Sequence, residues 1–145
     1  MPNPVSVDIK NVLEAAGLGT FAATSGWAIY IGKGPETPND VIVLYDVPDG
    51  DAIDGICTDL ENAANYSLEI RVRSESYPVA YQRITAVEKE INRTKFTVGN
   101  VRYELVNRDF PPRFDFYDEN NRAIWYQRYT VMRYIGSSSS SSSSS

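Results

Sequence analysis

The sequence predicts an α+β fold in which a mainly antiparallel sheet carries two helices packed on one face. Three observations predict it: two stretches with apolar residues at helical spacing, several short β-branched or aromatic runs bounded by turn formers, and one run of strict alternation. Val5, Ile9, Val12, Leu13 and Ala16 share one helical face, Ser6 is placed to cap its start, and Gly17 and Gly19 supply a stop. Trp27 to Ile31 and Val41 to Tyr45 read as strands. The nine residues between them, Gly32 to Asp40, are dense in turn formers, so the pair is expected to form a long-looped hairpin.

Leu68-Glu69-Ile70-Arg71-Val72-Arg73 is the clearest strand, because alternation puts Leu68, Ile70 and Val72 on one face and the charges on the other. From Ser76 the period changes. Tyr77, Ala80, Tyr81, Ile84, Val87 and Ile91 lie on one helical stripe, with Pro78 tolerated in the first turn, and the helix should end near Arg93. Short strands at Lys95 to Val98 and Val101 to Val106 follow, joined by the tight-turn dipeptide Gly99-Asn100. After Pro111-Pro112, the runs Phe114 to Tyr117 and Ile124 to Tyr134 flank a polar turn, Asp118 to Arg122, and form a closing hairpin. The last strand carries apolar or aromatic residues on both faces: Ile124, Tyr126, Met132 and Tyr134 on one, Trp125, Tyr129 and Val131 on the other. Either loops cover its second face or another subunit does.

Residues 1–136 suit one domain, a length that can bury roughly two-thirds of its unfolded surface, and the serine run Ser137 to Ser145 is excluded from it as a disordered or artefactual tail. The start lacks a signal-peptide pattern and no stretch approaches ~20 apolar residues, so synthesis in the cytoplasm with no membrane partner is expected. Net charge is −5, but it is unevenly spread. Residues 1–70 carry eleven acids against two bases, and residues 71–145 carry twelve bases against eight acids. An acidic chain without a polybasic run is a poor phosphate binder. Complementary patches between neighbouring copies, or chance interleaving within one sheet, would each produce the split.

With no histidine, the common serine and cysteine catalytic arrangements cannot be built and the usual nitrogen ligands for zinc or haem are missing; no cofactor and no metal site is expected. Cys57 reads as a small filler. Asp46, Asp49, Asp51 and Asp54 cluster after the second strand. Counting from Asp49, however, the fifth position is Ile53 and the sixth Asp54, which breaks the calcium-loop pattern, so the cluster reads first as a solvated loop and second as a functional surface. Gly32-Lys33-Gly34 lacks phosphate-loop spacing and reads as a turn. Ten arginines against four lysines, interleaved with aromatics as in Arg113-Phe114 and Trp125-Tyr126-Gln127-Arg128-Tyr129, favour protein partners over single-stranded nucleic acid.

Three segments, in order, resemble the tail terminator proteins of long-tailed bacteriophages, a family also known more loosely as phage minor capsid or tail completion proteins. They are Ile29-Tyr30-Ile31-Gly32-Lys33-Gly34-Pro35 leading into Val41 to Pro48; Ile70 to Ser74 followed by Tyr77 and Ala80-Tyr81; and Pro111-Pro112-Arg113-Phe114 with the turn at Asp118 to Arg122. The best match is the junction Arg73-Ser74-Glu75-Ser76-Tyr77-Pro78-Val79-Ala80. Asn121 stands where members often carry glycine, a place that a left-handed asparagine can fill. The resemblance implies a non-enzymatic structural subunit of the virion tail, at the junction of head and tail. It implies a homo-oligomeric ring, commonly a hexamer, that caps the tail tube and offers a surface to head-completion (neck) proteins, with DNA passing through the lumen without specific binding. Such a ring needs two complementary surfaces per copy. The expected partner-interface residues are Lys33, Glu36, Asp46, Asp49, Asp51, Asp54, Arg113, Arg122, Trp125 and Arg128, with the acidic Asp46 to Glu61 region toward the lumen. A head-completion or minor tail role is the nearest alternative, and a monomeric ligand- or peptide-binding module the next.

Overall fold

A computed structural model describes residues 4–47 and 63–134. The order is α1 (Val5–Ala15), β1 (Thr20–Phe21), β2 (Ala28–Ile31), β3 (Val41–Val47), β4 (Ala63–Ser74), α2 (Tyr77–Ile91), β5 (Arg93–Val98), β6 (Val101–Arg108), β7 (Arg113–Tyr117) and β8 (Ala123–Tyr134). The strands form one sheet in the order β1-β2-β3-β4-β8-β6-β5, with β7 paired to β8. The fold is α+β, dominated by a largely antiparallel sheet.

β8 is the spine of that sheet. β4 pairs along the whole of one edge, from Ala63 opposite Tyr134 to Ser74 opposite Ala123. The other edge is divided end to end, β7 taking Ala123 to Tyr126 and β6 taking Tyr129 to Arg133. Because directly paired residues share a face, Leu68, Ile70 and Val72 lie beside Tyr129, Gln127 and Trp125. All of these but the buried polar Gln127 join Ile9 and Leu13 of α1, Ala80, Ile84, Val87 and Ile91 of α2, and Ile42 and Leu44 of β3 in a single buried cluster. The helices form because their apolar residues recur at the period that this cluster needs, and each fully buried Leu or Ile contributes about 1.5–3 kcal/mol, more than any single cap. Ser76, in an extended conformation, accepts a hydrogen bond from the Val79 amide at the start of α2.

Two expectations are corrected and one strand is added. First, β2 and β3 do not form a hairpin: they run parallel, Ala28 opposite Val41 through Ile31 opposite Leu44. The nine-residue loop between them reaches about 30 Å when extended, enough to recross a four-residue strand of about 13 Å, so its length alone permits either direction. Second, Ser6 is not the cap of α1. Pro4 occupies that position, and Ser6 is the second residue of the helix, where its amide and hydroxyl both donate to the Asp46 carboxylate of β3. Third, a two-residue strand, Thr20–Phe21, extends the sheet beyond β2 in parallel register. Too short for a periodicity signal, it exists because β2 offers a free edge. The turn residue Asn121 takes φ +60°, the left-handed conformation expected of it.

Candidate assembly interface

The loop from Gly32 to Asp40 is shaped by two arginines from outside it. Arg73, at the end of β4, donates Nη2 to the Pro38 carbonyl (2.7 Å), and Arg122, entering β8, donates Nη1 to the Glu36 carbonyl (2.6 Å). Burial and the neighbouring Arg122 together hold Arg73 below the usual arginine range. Arg122 is buried, its Nε pairing with Asp118 at 2.9 Å and its Nη2 with Glu36 at 3.3 Å, while the Asn120 amide also donates to the Glu36 carboxylate. Ser74 adds a hydroxyl to Asp40 at 2.9 Å. Loop and turn are therefore latched into one platform. Burial alone would raise the Asp118 carboxyl, but the amides of Arg122 and Asn120 and the Arg122 guanidinium outweigh it and hold it below its ordinary value.

The face of the sheet opposite Leu68, Ile70 and Val72 carries a cross-strand ladder of charge. Arg71 pairs with Glu69 and, at 2.7 Å, with Asp115 of β7; Arg128 pairs with the same Glu69 at 3.0 Å. Arg71 also lies over the Tyr126 ring, 5.2 Å from its centre. Burial works against the Arg71 charge, but its bonds to Asp115 and Glu69 prevail and raise its pKa. On this face the latched loop covers the start of β3, where Val41 and Val43 are buried. Beyond it Tyr126, Thr130, Met132 and Tyr134 are half-buried and Arg128 and Phe116 exposed. A cleft of about 310 Å³ opens between loop and ladder, lined by Val43, Tyr45, Arg71, Arg73, Phe116 and Ile124.

A cluster of rings gathers where α2 starts. Tyr77 lies 5.0 Å from both Phe114 and Trp125, and Tyr81 lies 4.9 Å from Trp125, centre to centre. Trp125 is buried with its indole N–H unpartnered among the described residues, while Tyr77, Tyr81, Phe116 and Tyr117 are 41 to 53 % exposed. Large rings left in contact with water beside guanidinium groups are the composition of a protein-contact surface.

Inside the core, β8 carries polar chemistry that alternation alone conceals. Asp8 of α1 accepts from the Tyr103 hydroxyl and from Arg133 (3.3 Å), all three groups buried, and Arg133 lies over the Tyr66 ring at 4.6 Å. Nearby, the Tyr129 hydroxyl donates to Gln127, whose amide donates to Glu88 of α2 at 2.9 Å. Burial raises the pKa of both tyrosines well above the ordinary phenol value. Both networks tie helices to the spine strand.

Of the expected interface residues, Lys33 and Glu36 are exposed on the latched loop, Arg122 is buried beneath it, and Arg128 stands on the charged ladder. Arg113 is exposed with its guanidinium over the Phe110 ring, 3.9 Å from its centre. Trp125 lies under Tyr77 and Tyr81. Asp46 is exposed at the start of α1 and is committed to Ser6. Asp49, Asp51, Asp54 and Cys57 lie outside the described residues. Sequence reasoning missed the exposure of Tyr77 and Tyr81, which it placed on the stripe facing the core. Their signal was position: they stand in the first turns of α2, over Phe114 of β7 and Trp125 near the start of β8. Among the described residues no three Asp, Glu or Cys side chains converge as metal ligands, and no helix is long and apolar enough to cross a membrane.

A sheet with a latched platform, a ladder of arginine and carboxylate and exposed rings has the surface composition typical of proteins that contact other chains. The chain belongs to the bacteriophage tail terminator family, whose model matches residues 12–135. It is thus a structural protein of the phage virion, located in the tail. Its fold is similar to that of a chain in the structure entitled "Virion of native gene transfer agent (GTA) particle", with a TM-score of 0.64 and 15 % identity over 90 % of this chain and 95 % of that one. At that identity the likeness is one of fold. No curated protein matches the sequence.

Proposed function

We propose that the protein closes the growing tail as a ring of six copies seated on the last ring of the tail tube, and then presents its far side to the head-completion proteins. The observation that carries this reading is membership of the tail terminator family across residues 12–135. Physical support comes from the distribution of surface. In this reading α1 and α2 cover one face of the sheet, and the other, with its half-buried strand β8 and its Glu69–Arg71–Arg128 ladder, is left for neighbours. A closed ring needs two different surfaces on each copy, and one chain that joins a tube, itself and a neck needs several.

The net charge of −5 suits a conduit for DNA, since a lumen that does not collect cations does not grip phosphates. Lys33 and Glu36 on the latched loop, with Arg113 and Arg128 on the open face, are the residues assigned to partner contact. The test is genetic. A phage lacking this subunit is expected to make DNA-filled heads and tails of irregular length that stay separate; joined tails of normal length in that mutant would remove the terminator role.

A further inference from the structure

Arg83 is half-buried and keeps most of its donors free. It leaves the middle of α2 and lies over the Trp27 ring, 4.6 Å from its centre, in a cleft of about 340 Å³ between the end of α1 and the turn that precedes β2. Its Nη1 donates to the Leu18 carbonyl at 3.1 Å. Among the described residues its other N–H groups make no hydrogen bond and no carboxylate forms an ion pair with it. The two nearby acids are engaged elsewhere. Glu14, on the cleft wall, accepts from the Phe21 amide at 2.8 Å and pairs with Lys10 at 3.6 Å; Asp40 accepts from Ser74 and attracts Arg83 only from beyond ion-pair distance.

Burial prevails over that attraction and holds Arg83 below the usual arginine range. Arg71 is half-buried too, but its bonds to Asp115 and Glu69 outweigh burial and raise it. Arg73, which burial also lowers, spends its donors on the carbonyls of Glu36, Pro38 and Asn39. Arg83 alone of these three has donors left over. A guanidinium drawn partly out of water loses hydration that a carboxylate in bidentate contact replaces, because the planar fork presents parallel N–H groups to it. The cleft can admit one: Trp27 lines it, half-buried, and the exposed Thr20 and Ser25 bring hydroxyl groups to it. Arginine and tryptophan are also the residues that most often carry the binding energy of a protein contact.

We propose that this cleft receives an acidic side chain of a neighbouring protein chain, its carboxylate on the free donors of Arg83 and its alkyl stem beside Trp27. The neighbour rests on the ring reading; the site stands on Arg83 and Trp27. A charge-assisted pair inside a cleft fixes the register of the contact and penalises a neighbour that lacks the acid.

The test uses purified full-length protein and whole phage. Trp27 and Trp125 are the two tryptophans of the chain, so nitrogen-15 labelling gives two indole N–H signals. Glutarate at constant ionic strength should shift the Trp27 signal, with half-saturation on the order of 10 mM, and leave that of Trp125 in place; the neutral diamide of glutarate should shift neither. Arg83→Gln keeps a donor for the Leu18 carbonyl but loses the charge and the fork, and should abolish the response while circular dichroism shows it folded. In phage, Arg83→Glu should lower the titre about a hundredfold, and second-site changes of an acid to lysine or arginine should restore it. Their position identifies the neighbour as a second copy of this chain or as another virion protein. A Trp27 signal indifferent to glutarate, or Arg83→Glu phage that grow like the native, would overturn the site and leave the ring reading standing. Native protein present in particles only as isolated copies, with Trp27 still answering glutarate, would overturn the ring reading and leave the site.

Discussion

Asp8, Tyr103 and Arg133 show how a single buried cluster ties together elements far apart in sequence. Each is almost fully buried, so the cost of desolvating a carboxylate and a guanidinium is offset only while both are paired and bonded to the tyrosine. Replacing Arg133 by Met strands the Asp8 charge beside Tyr103, and the variant is expected to lose about 3–5 kcal/mol in urea unfolding. Restoring consistency with Asp8→Leu and Tyr103→Phe in the same chain should return most of that loss, because a well-packed apolar trio needs no partner. A triple variant as unstable as Arg133→Met would show that packing volume, not the stranded charge, is what the site depends on. Asp8 and Arg133 could not be singled out from the sequence, since a charged residue on an otherwise apolar face looks like a break in the pattern until its partner, 125 positions away, is seen.

At the scale of elements, the parallel pair β2 and β3 depends on the loop that joins them, and that loop depends on Arg122. The Arg122→Met variant removes the bonds to the Glu36 carbonyl and to the Asp118 and Glu36 carboxylates. Hydrogen bonds to a charged group contribute about 1.5–3 kcal/mol, so amide exchange across residues 32–40 is expected to accelerate about tenfold or more while the β4–β8 ladder keeps its protection. Exchange that stays unchanged in the loop would mean that Arg73 and Ser74 hold it unaided. Acid should act in the same direction. The Asp118 carboxyl is held below its ordinary value in the folded chain, so its contribution is present above the ordinary carboxylate pKa and is lost as pH falls through the lowered one. The strand runs and both helices were legible in the residues because each is a local period. The direction of β2 against β3 was not, because a nine-residue loop permits either direction and the guanidinium groups bonded to it come from β4 and from the start of β8.

For the molecule as a whole, the spine strand makes alkaline stability a single cooperative property. Tyr103 of β6 and Tyr129 of β8 are buried on the core side of the sheet, and burial holds both well above the ordinary phenol value in the folded state. Their contribution is complete below the unfolded value of about 10 and is lost as pH rises from there toward the folded values, since the unfolded chain gives up the protons first. Stability measured by urea is therefore expected to be flat across neutral and mildly alkaline pH and to fall steeply above about 10; in Tyr129→Phe that slope should be shallower. A slope unchanged by the substitution would assign the alkaline loss to other groups. The family role is a property of this same scale. Phe116, Tyr117 and Arg128 carry no signature that separates them from ordinary surface residues, and it was the serial order of three weak segments over most of the chain that pointed to a tail terminator.

By itself the sequence determined both helices and the centres of all strands but the two-residue β1, that both helices present an apolar stripe, that the last strand carries apolar residues on both faces, and the family to which the chain belongs. Those are consequences of periodicity, turn chemistry and segment order, all of them readable along one dimension. Only the tertiary structure decided that β2 runs parallel to β3, that Asp46 serves the start of α1, that Arg133 is buried with Asp8, and that Arg122 latches the loop before β3 to the turn before β8. Each of these joins groups separated by tens of residues. Whether a charge is buried and paired or solvated and free depends on what the fold brings within about 3–4 Å of it, and that distance is written nowhere in the chain.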